Sequence, residues 1–253
     1  MDTVPQCFVD EVLSYIACAS LKRMKRLEGQ YGGLVQVHSD KRYKYAVTAE
    51  KVEIKRTATT ETKGQNLLEC EPMYCNTLIL MINDDALLNT GVLKELKRLQ
   101  VYAKYIHVGL KQSKLRREVV DFIKALRLTV FVLTNARLEE DALEIFNHQL
   151  EKKCLTTAGI CSEVVDFAQM KRVLPVLIQP QFQALSLRVG RRLFNATAVQ
   201  VREFVRLHRG PMKGKLVIFN DALNGVRDRE EQKTLKSLGR ICRTTTMEGV
   251  YKF

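Results

Sequence analysis

Apolar residues recur at three- and four-residue steps through the opening of the chain: Phe8, Val12 and Ile16, then Leu21, Met24, Leu27, Tyr31 and Leu34. That is the period of a helix face, interrupted once around Ala17–Ser20. Pro5 suits a first helical turn, where its missing N–H has no partner to lose. Ser20 is placed to cap a second helix, and Gly29 to end it or to mark a turn before Tyr31. The pattern predicts two or three short helices, each needing to bury an apolar stripe.

Beyond them the period changes. Tyr43, Tyr45 and Val47 alternate with polar residues, as do Val52 and Ile54, which predicts a hairpin with one wet face. Thr57–Gln65 is polar, contains Gly64 and shows no period, so it reads as a linker. From Thr77 onward short apolar runs alternate with helical patterns. The runs are 77–82, 105–110, 128–133, 154–158, 182–189 and 215–219. Between them, Val92, Leu93, Leu96 and Leu99 share a face, as do Leu115, Val119, Phe122, Ile123 and Leu126. Leu138, Leu143, Phe146 and Leu150 form a third set, and Val199, Phe204, Val205 and Leu207 a fourth. Asn83–Asp85, Ser113, Asn135 and Asn195 stand where caps or turns are needed.

Alternating strand and helix fits a doubly wound parallel sheet or a leucine-rich-repeat-like solenoid. Strand starts lie roughly 25 to 30 residues apart, near the upper end of the solenoid range. The units are alike in length, and no glycine-rich phosphate loop follows the first strand, so the solenoid is favoured. The expectation is an α/β protein: a helical unit over 1–40, a hairpin and linker over 41–76, and βα repeats over 77–253.

The opening resembles an F-box. Val4–Pro5 stands for the Leu-Pro opening, Val12 and Ile16 for the first helix, and Leu21 for the start of the second. Leu27 takes the valine position, Tyr31 the tryptophan position and Leu34 the closing aliphatic. Val4, Ile16, Tyr31 and the glycines Gly29, Gly32 and Gly33 depart from the pattern. An F-box followed by irregular βα repeats is similar to F-box proteins with leucine-rich-repeat-like substrate domains, and looks most like the expanded nematode families. The resemblance implies a substrate-recognition subunit of an SCF-type cullin-RING ubiquitin ligase. Pro5, Val12, Ile16, Leu21, Met24, Leu27, Tyr31 and Leu34 would dock on a Skp-family adaptor, linking a cullin scaffold to a protein target held by the repeats. Such a subunit supplies proximity to others and needs no catalytic residue or cofactor.

Composition adds one unusual fact. The chain of 253 residues is 46% hydrophobic and 27% charged, ordinary for a globular protein, but its net charge is +13. Arg188, Arg191, Arg192, Arg202, Arg206 and Arg209 crowd one late region, and a helix from about Ala196 puts the last three on one face. Phosphate or an acidic target surface suits that patch, and a nucleic-acid-binding module is the alternative function. A small α/β enzyme is a third reading, and it requires a pocket with convergent polar groups. No apolar run approaches the roughly eighteen residues that span a bilayer, and no secretory pattern opens the chain. Seven scattered cysteines without a CxxC pair fit a reduced compartment, so the expected location is intracellular, cytoplasmic or nuclear. The histidines His38, His107, His148 and His208 show no metal-ligand spacing. Gly210–Lys215 precedes a strand and so reads as a tight turn instead of a P-loop.

Overall fold

The computed structural model describes residues 4–16, 18–24, 26–27, 29–48, 51–56, 70–83, 88–112, 114–134, 140–162, 167–189, 191–219, 243–244 and 250–252. The protein is mixed α/β with mostly parallel strands. It packs as two compact units, Met1–Met81 with Asp85–His107, and Ile82–Asp84 with Val108–Phe253. No helix among the described residues is long and apolar enough to cross a membrane.

The first unit opens with α1 (Gln6–Tyr15), α2 (Cys18–Met24) and α3 (Gly29–Lys41). Leu13, Leu21 and Val35 form their core, with Val9, Ile16, Met24 and Leu34 packed around it. Ser20 lies inside α2, which already begins at Cys18, so it is not the cap that the sequence suggested. Gly29 starts α3 with a φ of 69°, a left-handed conformation that glycine adopts without strain. Gly32 answers to a closer approach: a Cβ there would lie 2.0 Å from the Leu27 carbonyl oxygen. The glycines that look like helix breakers thus let the α2–α3 turn fold back tightly.

The hairpin forms as expected, with β1 (Tyr43–Val47) antiparallel to β2 (Val52–Arg56). Strand β1 also pairs in parallel with β3 (Cys75–Ile82), so strand pairing carries through the segment read as hairpin and linker. Tyr43, Tyr45, Val47, Leu78 and Leu80 are buried along one face. Helix α4 (Thr90–Leu99) buries Leu93, Leu96 and Leu99. Its cap is Asn89, whose side chain accepts from the Val92 N–H at 3.0 Å, and not the earlier Asn83. Strand β4 (Tyr105–Leu110) follows, its first three residues in this unit. The 57–65 linker, Ser113, Asn135 and Leu138 lie outside the described residues.

The second unit runs α5 (Arg117–Ala125), β5 (Val130–Thr134), α6 (Glu140–Lys152), β6 (Thr157–Ser162), α7 (Phe167–Val173), β7 (Ala184–Val189), α8 (Arg191–Leu207), α9 (Arg209–Met212), β8 (Leu216–Phe219), β9 (Arg243–Thr244) and β10 (Val250–Lys252). Strands β5, β6, β7 and β8 pair in parallel in chain order, and β10 closes antiparallel on β8 with β9 beyond it. Phe131, Leu133, Ala158, Ile160, Leu185, Leu187 and Val217 are fully buried on one face. Alternation puts Val130, Val132, Thr157, Gly159, Ala184, Ser186, Leu216 and Ile218 on the other, in two rows set by the register. The middle of those rows is built from small residues. A Cβ on Gly159 would lie 3.3 Å from a Val132 methyl.

Helix faces depart from the sequence reading in two places. Helix α6 buries Ala142, Ile145, Phe146 and Gln149, leaving Leu143 and Leu150 half-buried. Helix α8 buries Thr197, Ala198, Val201 and Val205, while Val199 and Leu207 are 40% and 78% exposed. Asn195 is inside α8, which begins at Arg191. Strand β6 starts at Thr157, later than expected, because Lys153 turns left-handed with a φ of 52° to end α6 and Cys154 stays on Gln149.

The buried polar groups of this unit close the ends of preceding helices. Gln149 is fully buried, and its amide nitrogen donates to the carbonyls of Ile123, Lys124 and Leu126 at 3.2, 3.3 and 3.0 Å. Its amide oxygen accepts from the Leu128 N–H at 3.2 Å. Lys152 donates to the carbonyls of Lys124 and Leu126 as well. The amide of Gln179 reaches the Leu150 carbonyl at 2.8 Å, and Lys215 in turn donates to the Gln179 carbonyl. Orphan carbonyls at a helix C-terminus need such donors when water is excluded.

Candidate functional site

The N-terminal helices present an apolar surface that nothing in their own unit covers. Helix α1 has two apolar faces in ten residues. Val9, Leu13 and Ile16 turn inward to the core, while Val4, Phe8 and Val12 are 40%, 58% and 42% exposed. Phe8 and Val12 lie four residues apart on α1 and form one outward stripe, and Val4 stands just before the helix. Leu27, in the turn between α2 and α3, is 47% exposed. Val4, Gln6, Val9, Tyr31, Gly33 and Leu34 line a shallow depression beside the stripe.

The residues expected to dock an adaptor therefore divide. Pro5, Val12 and Leu27 are exposed, and Tyr31 and Leu34 line the depression. Leu21 is fully buried, and Ile16 and Met24 are partly buried against the same core, so these three hold the helices together. Phe8 has the greatest exposure of the outward stripe. A three-to-four period alone does not tell an inward stripe from an outward one, so sequence reasoning grouped both together. At about 1.5–3 kcal/mol for fully burying a Val, Leu or Phe side chain, covering Phe8, Val12 and Leu27 from their partial exposure offers on the order of 3 kcal/mol.

Two buried polar side chains fix the angle of α1. Arg42 is 2% exposed, and its guanidinium donates to the carbonyl of Ile16 at 2.5 Å and to that of Leu13. A cation at a helix C-terminus also meets the negative end of the helix dipole. His38, 4% exposed, hydrogen-bonds through Nε2 to the Asp10 carboxylate of α1 at 3.2 Å. Its ring meets Tyr74 edge-on, with centroids 5.6 Å apart. Lys41 lies over the same Tyr74 and pairs with Glu71 at 2.6 Å. Burial pushes the His38 imidazole below its ordinary 6.5, with Asp10 opposing the shift and Arg42 adding to it.

This sets a pH dependence. The unfolded chain takes up a proton near 6.5 while the folded His38 resists it, so the unfolded state binds more protons as pH falls through that window. Stability of the helical unit is expected to fall between pH 7 and the depressed folded value. Hydrogen exchange of α1 amides at pH 7 and pH 5.5 measures it, and a His38→Gln variant should lose that part of the difference.

The late basic region is divided between elements, and Arg209 is not on the helix that carries Arg202 and Arg206. Arg202 and Arg206 share α8, but Glu203 lies between them, 3.4 Å from the Arg202 Nε and 3.9 Å from an Arg206 nitrogen. Arg209 belongs to the separate α9, beyond the break at His208. Arg188 is placed in β7, and Arg191 and Arg192 open α8. Gly214 makes a left-handed turn before β8 with a φ of 85°, and Lys215 is spent on the Gln179 carbonyl. Cys75 is 1% exposed and its thiol is pushed up to about 12, mainly by burial, which leaves it a small apolar core residue. No group of three potential metal-ligating side chains occurs among the described residues. No protein-family model, curated protein or solved structure matches this chain.

Proposed function

We propose that this chain is a substrate-recognition subunit of an SCF-type cullin-RING ubiquitin ligase. The observation that carries the reading is the three-helix N-terminal module, internally packed on Leu13, Leu21 and Val35 yet keeping Val4, Phe8, Val12 and Leu27 outward. A partner helix pair from a Skp-family adaptor would cover that stripe, with Tyr31 lining a seat beside it. Large apolar side chains left outside a module with its own core are the mark of an interaction surface.

The second unit supports the solenoid part of the reading. Parallel strands that add in chain order, joined by right-handed crossovers, put their connecting helices on one face and leave the other open. A doubly wound sheet reverses its strand order at a switch point, and β5 to β8 do not. The open rows of Thr157, Gly159, Ala184 and Ser186 between larger aliphatics would then receive the protein target. Ubiquitin transfer would be performed by other subunits, with this chain supplying proximity.

Co-expression with a Skp-family adaptor tests the reading. The wild type is expected to co-elute with the adaptor, and Phe8→Asp with Val12→Asp to lose it while remaining folded. These positions are exposed, so the substitutions spare the core that Leu21→Ala would open. A folded wild type that ignores the adaptor rejects the proposal. In that case a salt-dependent titration with nucleic acid is the next measurement, because a slope with log salt counts phosphate contacts directly.

A further inference from the structure

A different surface of the first unit carries chemistry that adaptor docking does not use. Tyr43, Tyr45, Leu78, Leu80 and Ile106 are buried on one face of its strands. Alternation therefore places Lys44, Thr77, Ile79 and His107 together on the opposite face. Lys44 stands opposite Thr77 in the β1–β3 register, and β4, which carries His107, flanks β3 on its other side. Both Lys44 and His107 are half-buried. Neither makes a hydrogen bond or ion pair with another described residue. Burial keeps the His107 imidazole below its ordinary 6.5, and the Lys44 charge adds to that shift. Glu53, opposite Ala46 on this face, is already held by Lys51, and the Thr77 hydroxyl is donated to the Asn76 side chain at 3.1 Å. Tyr105, two residues before His107 on β4, is 39% exposed at the edge of the same face.

We propose that Lys44 and His107 form a binding site for a phosphate-type oxyanion on this face of the strands. A half-shielded ammonium without a counter-ion among the described residues has lost hydration that none of them replaces. The imidazole, on the strand across β3 and neutral at pH 7, offers one donor and one acceptor. A phosphate near its second ionisation, about pH 6 for a monoester, can meet both. Its charged oxygens accept from Lys44 while its remaining P–OH donates to the imidazole. Transfer of that proton onto the imidazole changes no net protonation and leaves two cations, Lys44 and the His107 imidazolium, facing a dianion. A carboxylate at neutral pH is acceptor-only and singly charged, so it satisfies Lys44 and leaves the imidazole acceptor unmet.

Imidazole proton NMR of the full chain, titrated in inorganic phosphate and in acetate at matched ionic strength, tests this. His107→Gln assigns the His107 signal. Saturating phosphate is expected to raise the His107 pKa by about one unit, and by linkage phosphate binds about tenfold more tightly when His107 is protonated. Lys44→Met should remove the phosphate response and, in phosphate-free buffer, let His107 titrate closer to 6.5. Lys44→Gln gives the same reading if the methionine variant is poorly folded. A His107 pKa that phosphate leaves unmoved in the folded wild type overturns the site. Equal shifts in phosphate and acetate also overturn it, since they assign the effect to screening of Lys44. Loss of adaptor binding has no bearing on this result, because Phe8 and Val12 are on α1 and the site is on the strands.

Discussion

Replacing Gln149 with leucine is expected to destabilise the second unit by about 3 kcal/mol, although the two side chains are close in size. The cost comes from what is left behind. The Leu128 N–H loses its acceptor, and the carbonyls of Ile123, Lys124 and Leu126 lose a shared donor in a site with no exposure. Lys152 still covers two of those carbonyls, and the Ile123 carbonyl keeps a bond from the Leu126 N–H. The orphaned Leu128 N–H is thus the main loss, at about 1–3 kcal/mol for a buried donor, with the weakened carbonyls adding the rest. A Gln149→Glu variant separates donor from size. Its carboxylate would face three carbonyl oxygens, so its folded pKa would be raised above the unfolded value near 4.3. A group with a raised folded pKa contributes stability below its unfolded value and loses it as pH rises through the folded one. The glutamate variant should therefore be weaker than the leucine variant at pH 7 and approach or exceed it near pH 4.5. Hydrogen exchange of β5 amides with denaturant reads both. A leucine variant within 0.5 kcal/mol of wild type, a threshold well inside the range for a lost buried bond, rejects the assignment.

Arg42→Met should loosen the N-terminal module by about 3 kcal/mol. The methionine fills part of the volume but removes the guanidinium that spans the Leu13 and Ile16 carbonyls. The Leu13 carbonyl keeps the Ile16 N–H at 3.0 Å, so the Ile16 carbonyl is the main loss, at about 1–3 kcal/mol for a buried group left short. It also removes the cation at the negative end of α1. Arg42→Lys keeps the charge on a single nitrogen that cannot reach both oxygens as a planar fork does, and is expected to recover about half of the loss. Because α1 carries Phe8 and Val12, the methionine variant should capture less adaptor even though Arg42 makes no hydrogen bond to either side chain. Exchange rates of α1 amides that match wild type would show that Arg42 does not fix the helix.

The strands were the most legible part of the chain. Runs of Val, Ile and Leu at 77–82, 105–110 and 215–219 place β3, β4 and β8 nearly to the residue, because a strand buried on one face cannot slip by one position without turning its apolar set outward. Helix faces were less legible. In α6 the buried stripe passes through Gln149, and a lone glutamine in an amphipathic pattern reads as solvent-facing. Only the carbonyl ends that it meets reveal its role. Arg42 hid for the same reason, as one basic residue before a basic strand. In α1 the pattern held two stripes, and Phe8 and Val12 were grouped with Ile16 because the period alone does not say which side the rest of the chain will cover. The basic region differs in one respect: the sequence reading ran one helix to Arg209, whereas the chain breaks at His208, and Glu203 pairs with Arg202.

Titration calorimetry of the full chain with a purified Skp-family adaptor tests the central claim most directly. The account predicts saturable one-to-one binding with a negative heat-capacity change, as expected for covered apolar surface. Phe8→Asp should weaken it at least tenfold, the equivalent of about 1.4 kcal/mol, while Arg206→Glu leaves it unchanged. No heat of binding from a folded wild-type chain, or a loss caused by Arg206→Glu and not by Phe8→Asp, would contradict it.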